Sequence, residues 1–269
     1  MPLGRMMKNA LNTSFRDLRE SIARLPLAFF LAWQDIRLRY SRSLIGPFWV
    51  SISILVTACA LSFVMTGLFG GELRKALPFV LTGIIIWSFL SQSLIEACTT
   101  LIVARGHLTG APMPYGLMIM STVIRNVIVS AHHLFAFILV AIFVGIRPDW
   151  SMLLIIPGAL LVVTAVTGLV FAVACLTPRF RDLMPLITMV MGIGALLSPV
   201  YWRPESLVRN RGIVALNPIT YLLDVLRAPL INEHTMPHAW SAAVVIALVC
   251  LLVGVGTFVL TRRRLPFWI

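Results

Sequence analysis

Six stretches of the chain are long, apolar and nearly free of charge: residues 48–69, 79–101, 117–145, 152–176, 184–200 and 240–260. No other feature constrains the fold as strongly. A run of about 20 apolar residues has the length of a helix crossing the roughly 30 Å hydrocarbon layer of a bilayer. Composition agrees, since 59% of the 269 residues are hydrophobic and 12% are charged, about half the charge of an ordinary soluble domain. The reading is an all-α integral membrane protein with six transmembrane helices and both termini on one side. The run 184–200 is the shortest and is bracketed by Pro185 and Pro199, which puts it at the lower limit for a straight crossing.

Basic residues orient the spans. Fourteen lie on the side that holds the termini: eight within residues 1–47, then Arg105, Arg179, Arg181, Arg262, Arg263 and Arg264. The other side holds seven, namely Arg74, Lys75, Arg147, Arg203, Arg209, Arg211 and Arg227. The positive-inside rule then places both termini in the cytoplasm. The net charge of +12 reads as this loop bias plus attraction for anionic lipid, not as a nucleic-acid footprint. The two lysines, Lys8 and Lys75, are followed by Asn9 and Ala76, so the chain has no Gly-Lys-Ser/Thr phosphate loop and no P-loop ATPase site of its own. Cys59, Cys98, Cys175 and Cys250 lie in or at the edges of the spans without ligand spacing and read as small apolar residues.

Residues 1–47 form a cytoplasmic segment ahead of a transmembrane domain, 48–269, that ends in a short cytoplasmic tail. Ser14 with Asp17 three residues on looks like a capping box, opening a helix whose Phe15, Leu18, Ile22 and Leu25 share a face. Pro26 interrupts it. Beyond the break Phe29, Trp33, Ile36 and Tyr40 fall on one side, while Asp35 and Arg39 stand one turn apart with Arg42 on their side. This is the pattern of an amphipathic helix lying in the cytoplasmic interface. No small-residue cleavage site follows the apolar stretch 25–33, so a removable signal peptide is not expected.

Two charges interrupt the spans. Arg125 lies about 12 Å inside the third run and Glu96 at comparable depth in the second. A charge at that depth is costly unless paired or facing water, so the two are expected to neutralise each other within a hairpin or to line a cavity. His132 and His133 read as a hydrogen-bonded core pair. On the outer side Asn217 is placed to cap a helix opened by Pro218, with an apolar stripe of Ile219, Leu222, Leu223 and Leu226 opposite Asp224 and Arg227. Together with the short fifth run, this points to partial helices re-entering the outer leaflet before the last span.

The run Trp33-Gln34-Asp35-Ile36-Arg37-Leu38-Arg39-Tyr40-Ser41-Arg42-Ser43-Leu44-Ile45-Gly46-Pro47-Phe48-Trp49 resembles the segment before the first span in the permease subunits of type-2 ABC polysaccharide exporters, the family that moves O-antigen, capsule and teichoic acid. Arg125-Asn126 with Ala131-His132, Arg179-Phe180-Arg181-Asp182, Asn217-Pro218-Ile219-Thr220 and the ending Arg264-Leu265-Pro266-Phe267-Trp268 follow in the family's order. The resemblance implies a multi-pass subunit of the bacterial inner membrane that carries a lipid-linked polysaccharide, O-antigen first among them. It further implies a homodimer working with two copies of a separate nucleotide-binding ATPase. This chain would hold no cofactor, ATP and Mg being bound by the partner subunit. Two alternatives stay open: a type-2 ABC exporter of a drug or small lipid, and an intramembrane lipid-modifying enzyme, although no Ser/His or paired-carboxylate constellation stands out for the latter.

Exporting such a cargo would require a diphosphate site, a glycan passage and a coupling surface, and the positions of particular residues suggest each. Arg37, Arg39 and Arg42, with the deeper Arg125, would hold the anionic diphosphate of the carrier lipid, because guanidinium forks match phosphate oxygens. Trp87, Phe89, Tyr201, Trp202 and Tyr221 would line a channel or gate, where aromatic faces let sugar C–H faces slide. Arg105, His107 and Leu108 in the 102–116 loop, stiffened by Pro112 and Pro114, would dock on the ATPase, joined by Arg179 and Arg181 of the next cytoplasmic loop.

Overall fold

A computed structural model of the chain describes residues 2–46, 48–110, 113–206 and 211–269. Pro47, Pro112 and Arg209 lie outside the described residues, as do the side chains of Lys8, His107 and Arg211. The fold is all-α. In chain order the helices are α1 (Pro2–Ala23), α2 (Leu25–Tyr40), α3 (Phe48–Phe69), α4 (Leu73–Val103), α5 (Arg105–Gly110), α6 (Tyr115–Val144), α7 (Ile155–Leu176), α8 (Leu183–Leu197), α9 (Arg211–Leu216), α10 (Pro218–Leu230), α11 (Ala239–Thr261) and α12 (Leu265–Trp268). Among the described residues α3, α4, α6, α11, and α7 with the 3₁₀ turn before it, are long and apolar enough to cross a membrane. The fifth expected span is a shorter helix: α8 has 15 residues, about 22 Å at 1.5 Å per residue, against a hydrocarbon layer of roughly 30 Å.

α4 is the axis of the bundle. Of its most apolar window 83% is buried, against 22% for α3, α6 and α11, so those three present their outer faces to the surroundings while α4 is enclosed. It packs against α3, α6, α7, α8 and α10, burying Leu81, Leu90, Leu94, Ala97 and Leu101 among them. A helix apolar on all sides is stable only when wrapped in this way or in lipid.

The closest helix pair is α7 with α11. Gly168 lies on the backbone of Cys250 and Gly254, and one turn further Phe171 meets Phe258 edge-on with ring centroids 5.6 Å apart. The contacts advance in the same direction along both chains, so the helices run parallel. The intervening chain must therefore return to the opposite end of the bundle, and α8 with the segment after it makes that return. Ala239, Ala243, Ala247 and Gly254 are all buried on α11, a stripe of small residues that admits close backbone approach where apolar burial offers no driving force between helices in lipid.

The N-terminal helices differ from the sequence expectation in two respects. α1 begins at Pro2, so Ser14 lies inside it and does not cap it. Asp17 is buried and caps a different helix: its carboxylate accepts the backbone N–H groups of Tyr115 (3.2 Å) and Gly116 (3.1 Å) in the first turn of α6. It also pairs with Arg262, just beyond α11, whose guanidinium lies 4.1 Å from the centroid of the Tyr115 ring. On α2 the buried face is Ala28, Ala32 and Ile36. Ile36 thus turns inward, away from the exposed Phe29 and Trp33, because small residues let α2 lie close against α6 and a bulky aromatic face would hold it off.

The α7–α11 seam makes a paired prediction. A Cβ on Gly254 would enter the backbone of Gly168, whereas one on Gly256 meets nothing within 4 Å. Gly254→Ala should destabilise the protein by about 1–3 kcal/mol, the usual cost of overpacking a fitted contact, and Gly256→Ala should not. Thermal unfolding of the two variants in detergent decides it; equal midpoints would mean that the seam is looser than its geometry.

Candidate functional site

Charged residues from three helices converge at the end of the bundle where α4 ends and α6 begins. Arg125 of α6 donates through Nε (3.2 Å) and Nη2 (2.8 Å) to Glu96 Oε2 on α4, and through Nη1 to Asp35 Oδ2 on α2 at 2.6 Å. Arg39, one turn beyond Asp35 on α2, donates to the other Glu96 oxygen at 2.9 Å. Asn126 donates to Glu96 Oε2 at 2.8 Å and to the Thr122 carbonyl at 3.0 Å. The expected pairing of Glu96 with Arg125 is present, enlarged to a quartet by α2. Glu96 and Arg125 keep 16% and 13% of their side-chain surface, whereas Asp35 and Arg39 keep 50% and 51%. The inner pair is thus fixed and the outer partners face open space. Beside them lies a cleft of about 430 Å³, lined by Gln34, Asp35, Arg39, Glu96, Thr99, Thr100 and Arg125 among others. Arg37 and Arg42 are exposed.

A second cluster holds the other end. Asn217 caps α10 as expected, its Oδ1 accepting the Ile219 N–H at 3.0 Å. Arg227, placed by the sequence pattern opposite the apolar stripe, is instead buried on the same side as Leu222 and Leu223. Its Nη1 donates to the Pro199 carbonyl at 2.7 Å and its Nη2 to the Val200 carbonyl at 3.4 Å. The guanidinium lies 3.9 Å from the centroid of the Phe79 ring on α4. The pattern misled because a guanidinium with carbonyl acceptors and an aromatic face tolerates burial. Gly83 provides the room, since a Cβ there would run into the Val200 carbonyl and the Arg227 guanidinium. The chain leaving α8 therefore meets α4 ten residues in from Leu73, about 15 Å at helical rise. Arg203 also lies over Phe79, at 4.6 Å, while pairing with Glu233 at 2.8 Å.

The five candidate channel aromatics do not share one lining within the chain. Trp87 is buried against Gly194 of α8. Phe89, two residues on and so on another side of α4, lines an apolar pocket of about 190 Å³ with residues of α6, α7 and α10. Tyr201 and Trp202 border a cleft at the Leu73 end of α4 with Glu72, Lys75, Arg203 and Glu233, and the Trp202 indole N–H donates to the Leu196 carbonyl. Tyr221 donates to the Ala215 carbonyl at 2.9 Å. Of the candidate ATPase contacts, Arg105, His107 and Leu108 stand on the short helix α5, where the sequence reading had a loop; Leu108 packs on the core. Arg179 and Arg181 are exposed between α7 and α8. His133 is buried with Nδ1 3.0 Å from the Ser51 hydroxyl, and His132 Nδ1 lies 2.7 Å from the Ile128 carbonyl.

Asp35, Asn126 and Arg227 were not singled out as site residues from the sequence. Asp35 had a signal, its one-turn spacing from Arg39 in the segment just before the first span. Arg227 had none, because a charged residue in an outer helix reads as solvated.

An enclosed axial helix, further apolar helices around it, a charge cluster at one end and short helices folded in at the other define a multi-pass α-helical membrane protein. The chain belongs to the ABC-2 type transporter family, whose model matches residues 26–231, and is therefore the membrane subunit of a type-2 ABC exporter. It is 24% identical over 260 residues to the O-antigen export system permease protein RfbA of Myxococcus xanthus, an alignment covering 94% of this chain and 98% of that protein. Membership in this family implies a separate ATPase subunit as partner.

The Arg227 cluster makes the second prediction. Arg227→Gln leaves buried carbonyls of Pro199 and Val200 short of donors, at about 1–3 kcal/mol for a lost buried partner. Arg227→Lys should not restore the loss, since one ammonium cannot both stack on Phe79 and serve two carbonyls. Thermal unfolding together with amide exchange over residues 198–202 checks this; full recovery by lysine would reduce the cluster to a simple charge effect.

Proposed function

We propose that this protein is the channel-forming half of an ATP-driven exporter that moves a lipid-linked polysaccharide, O-antigen foremost, across the bacterial inner membrane. The observation that carries this reading is the near full-length likeness to an O-antigen export permease. The chain crosses the membrane six times with both termini in the cytoplasm, and α8 and α10 form the outer, partly inserted section. Two copies related by an axis along the membrane normal enclose the passage, since one chain fills its own interior around α4. Two copies of the ATPase complete the assembly. The quartet cleft then lies at the cytoplasmic face, where Arg39 and Arg125, with Arg37 and Arg42 outside it, receive the carrier diphosphate. The arginine cleft supports this reading over export of an uncharged drug.

The test is ATP hydrolysis by the reconstituted permease–ATPase complex. Lipid-linked O-antigen should stimulate it, and replacing Arg37, Arg39 and Arg42 together with Gln should abolish most of the stimulation. Lysine at the three positions should recover part, keeping charge but losing the bidentate fork. Stimulation by small drugs or single-chain lipids, with none by the glycan lipid, would shift the function to the other exporter class.

Coupling has its own test. A cysteine at Leu108 should crosslink to the ATPase, because α5 closes the turn between α4 and α6 on the face that holds the termini. Crosslinks from the Arg179 and Arg181 segment with none from α5 would move the main contact to the second turn.

A further inference from the structure

The four bonds of the quartet are not equivalent, and their difference has a consequence for substrate entry. Glu96 is held by three donors, Arg125, Asn126 and Arg39, and is largely buried. Asp35 is half exposed, and it joins the quartet through Arg125 Nη1. Its ion pair is of the exposed kind that contributes little and exchanges readily. Arg39 and Arg125 line the cleft with Asp35 and Glu96, and the exposed Arg37 and Arg42 on and just after α2 add positive charge nearby without a printed carboxylate partner, so this segment attracts an anion. Next to the cleft α2 exposes Phe30, Trp33 and Leu38, an apolar border suited to an acyl or prenyl chain. A polar anionic cleft edged by apolar side chains fits an amphiphile with a phosphorylated head group.

We propose that Asp35 is a displaceable tether: its carboxylate occupies the place on Arg125 that the diphosphate of the incoming lipid takes, and its displacement loosens α2 from α6. This rests on the diphosphate reading of the cleft given above and adds how the site is kept closed without substrate. The carboxylate substitutes for a phosphate oxygen on the Nη1 edge of the guanidinium, the edge that Glu96 leaves unfilled. A diphosphate, with more charge and several acceptor oxygens, takes Arg125 Nη1 and Arg39 together, while Glu96 stays bound to Arg125 Nε and Nη2. Since Asp35 and Arg39 sit on the same face of α2, one ligand acts on both of the helix's charged ties at once.

The sign of the mutational effect separates a tether from a structural ion pair. In the permease–ATPase complex in nanodiscs, Asp35→Asn should bind farnesyl diphosphate more tightly than the unaltered protein, by about three- to tenfold, as expected when a competing charged hydrogen bond is removed. Farnesyl diphosphate should raise amide exchange along residues 25–40 in the unaltered complex and have less effect in Asp35→Asn, which is already loosened. Arg125→Gln should weaken binding by about tenfold or more. Should that variant fail to assemble, Arg39→Gln, at a half-exposed position, gives the same reading. Unchanged or weaker binding by Asp35→Asn, with weakening by the arginine variants, overturns the tether and leaves the diphosphate site standing. No change from any of them overturns the site itself. Inorganic pyrophosphate should bind far more weakly than farnesyl diphosphate; equal affinity would mean a free-anion site and would overturn the proposal of a lipid ligand.

Discussion

A carboxylate on a membrane-crossing helix must be neutralised, and Glu96 on the enclosed helix α4 is the point from which this end of the bundle is organised. Burial removes most of the water that would solvate it, and an unpaired charge within a membrane-crossing helix costs about 2.5–3.5 kcal/mol. Arg125 neutralises it from α6, Asn126 supplies a further donor, and Arg39 binds the second oxygen from α2. Each partner fixes the rotation of its helix about its own axis, which apolar packing against lipid-like side chains does poorly because one Leu face substitutes for another. Asp35 then follows from Arg125: a guanidinium has more donors than one carboxylate can accept, and the surplus falls on the next acidic residue within reach.

The two ends of the molecule solve different problems with the same residue type. At the Glu96 end, arginines meet carboxylates, and Arg39 and Asp35 remain half exposed at the rim while Arg125 and Glu96 are enclosed. At the other end Arg227 meets backbone carbonyls and an aromatic ring and is 5% exposed. Carbonyls freed by the break after α8 have no helical acceptor role left and, away from water, need a donor. Arg227 meets that need from α10, which locks the short helices to α4 and leaves the guanidinium little freedom to engage anything else. The first arrangement suits binding, the second suits holding a broken helix in place.

What the sequence disclosed follows from the range of the interactions involved. The long helices were legible because hydropathy is a local property read over about 20 residues, and the boundaries of α3 and α7 fall within a few residues of the apolar runs. The Asn217 cap was legible for the same reason, its partner being two residues away. Glu96 and Arg125 could be paired without coordinates because each was anomalous in an apolar span and 29 residues separate them across one hairpin. Asp17 defeated the local reading. Its spacing from Ser14 matched the second member of a capping box, but its partners lie 98, 99 and 245 residues away, and no window over the sequence contains them. Arg227 failed similarly, since its acceptors belong to a helix end on the far side of an outer loop.

The Asp17 and Glu96 clusters act together on α6. Asp17 holds its first turn to α1 and to the end of α11, and three turns further Arg125 holds it to α4 and α2. Two fixed points about 15 Å apart define the direction of a rod, so this half of α6 cannot pivot independently of the helices that grip it. α5 is attached directly ahead of the first of these points, across residues 111–114. A displacement of this half of α6 must move α1, α2, α4 and the end of α11 with it, or it must break one of the charged contacts. The most exposed of these are the two ties of α2, Asp35 to Arg125 and Arg39 to Glu96, so the cleft lies at the place where the unit parts most easily.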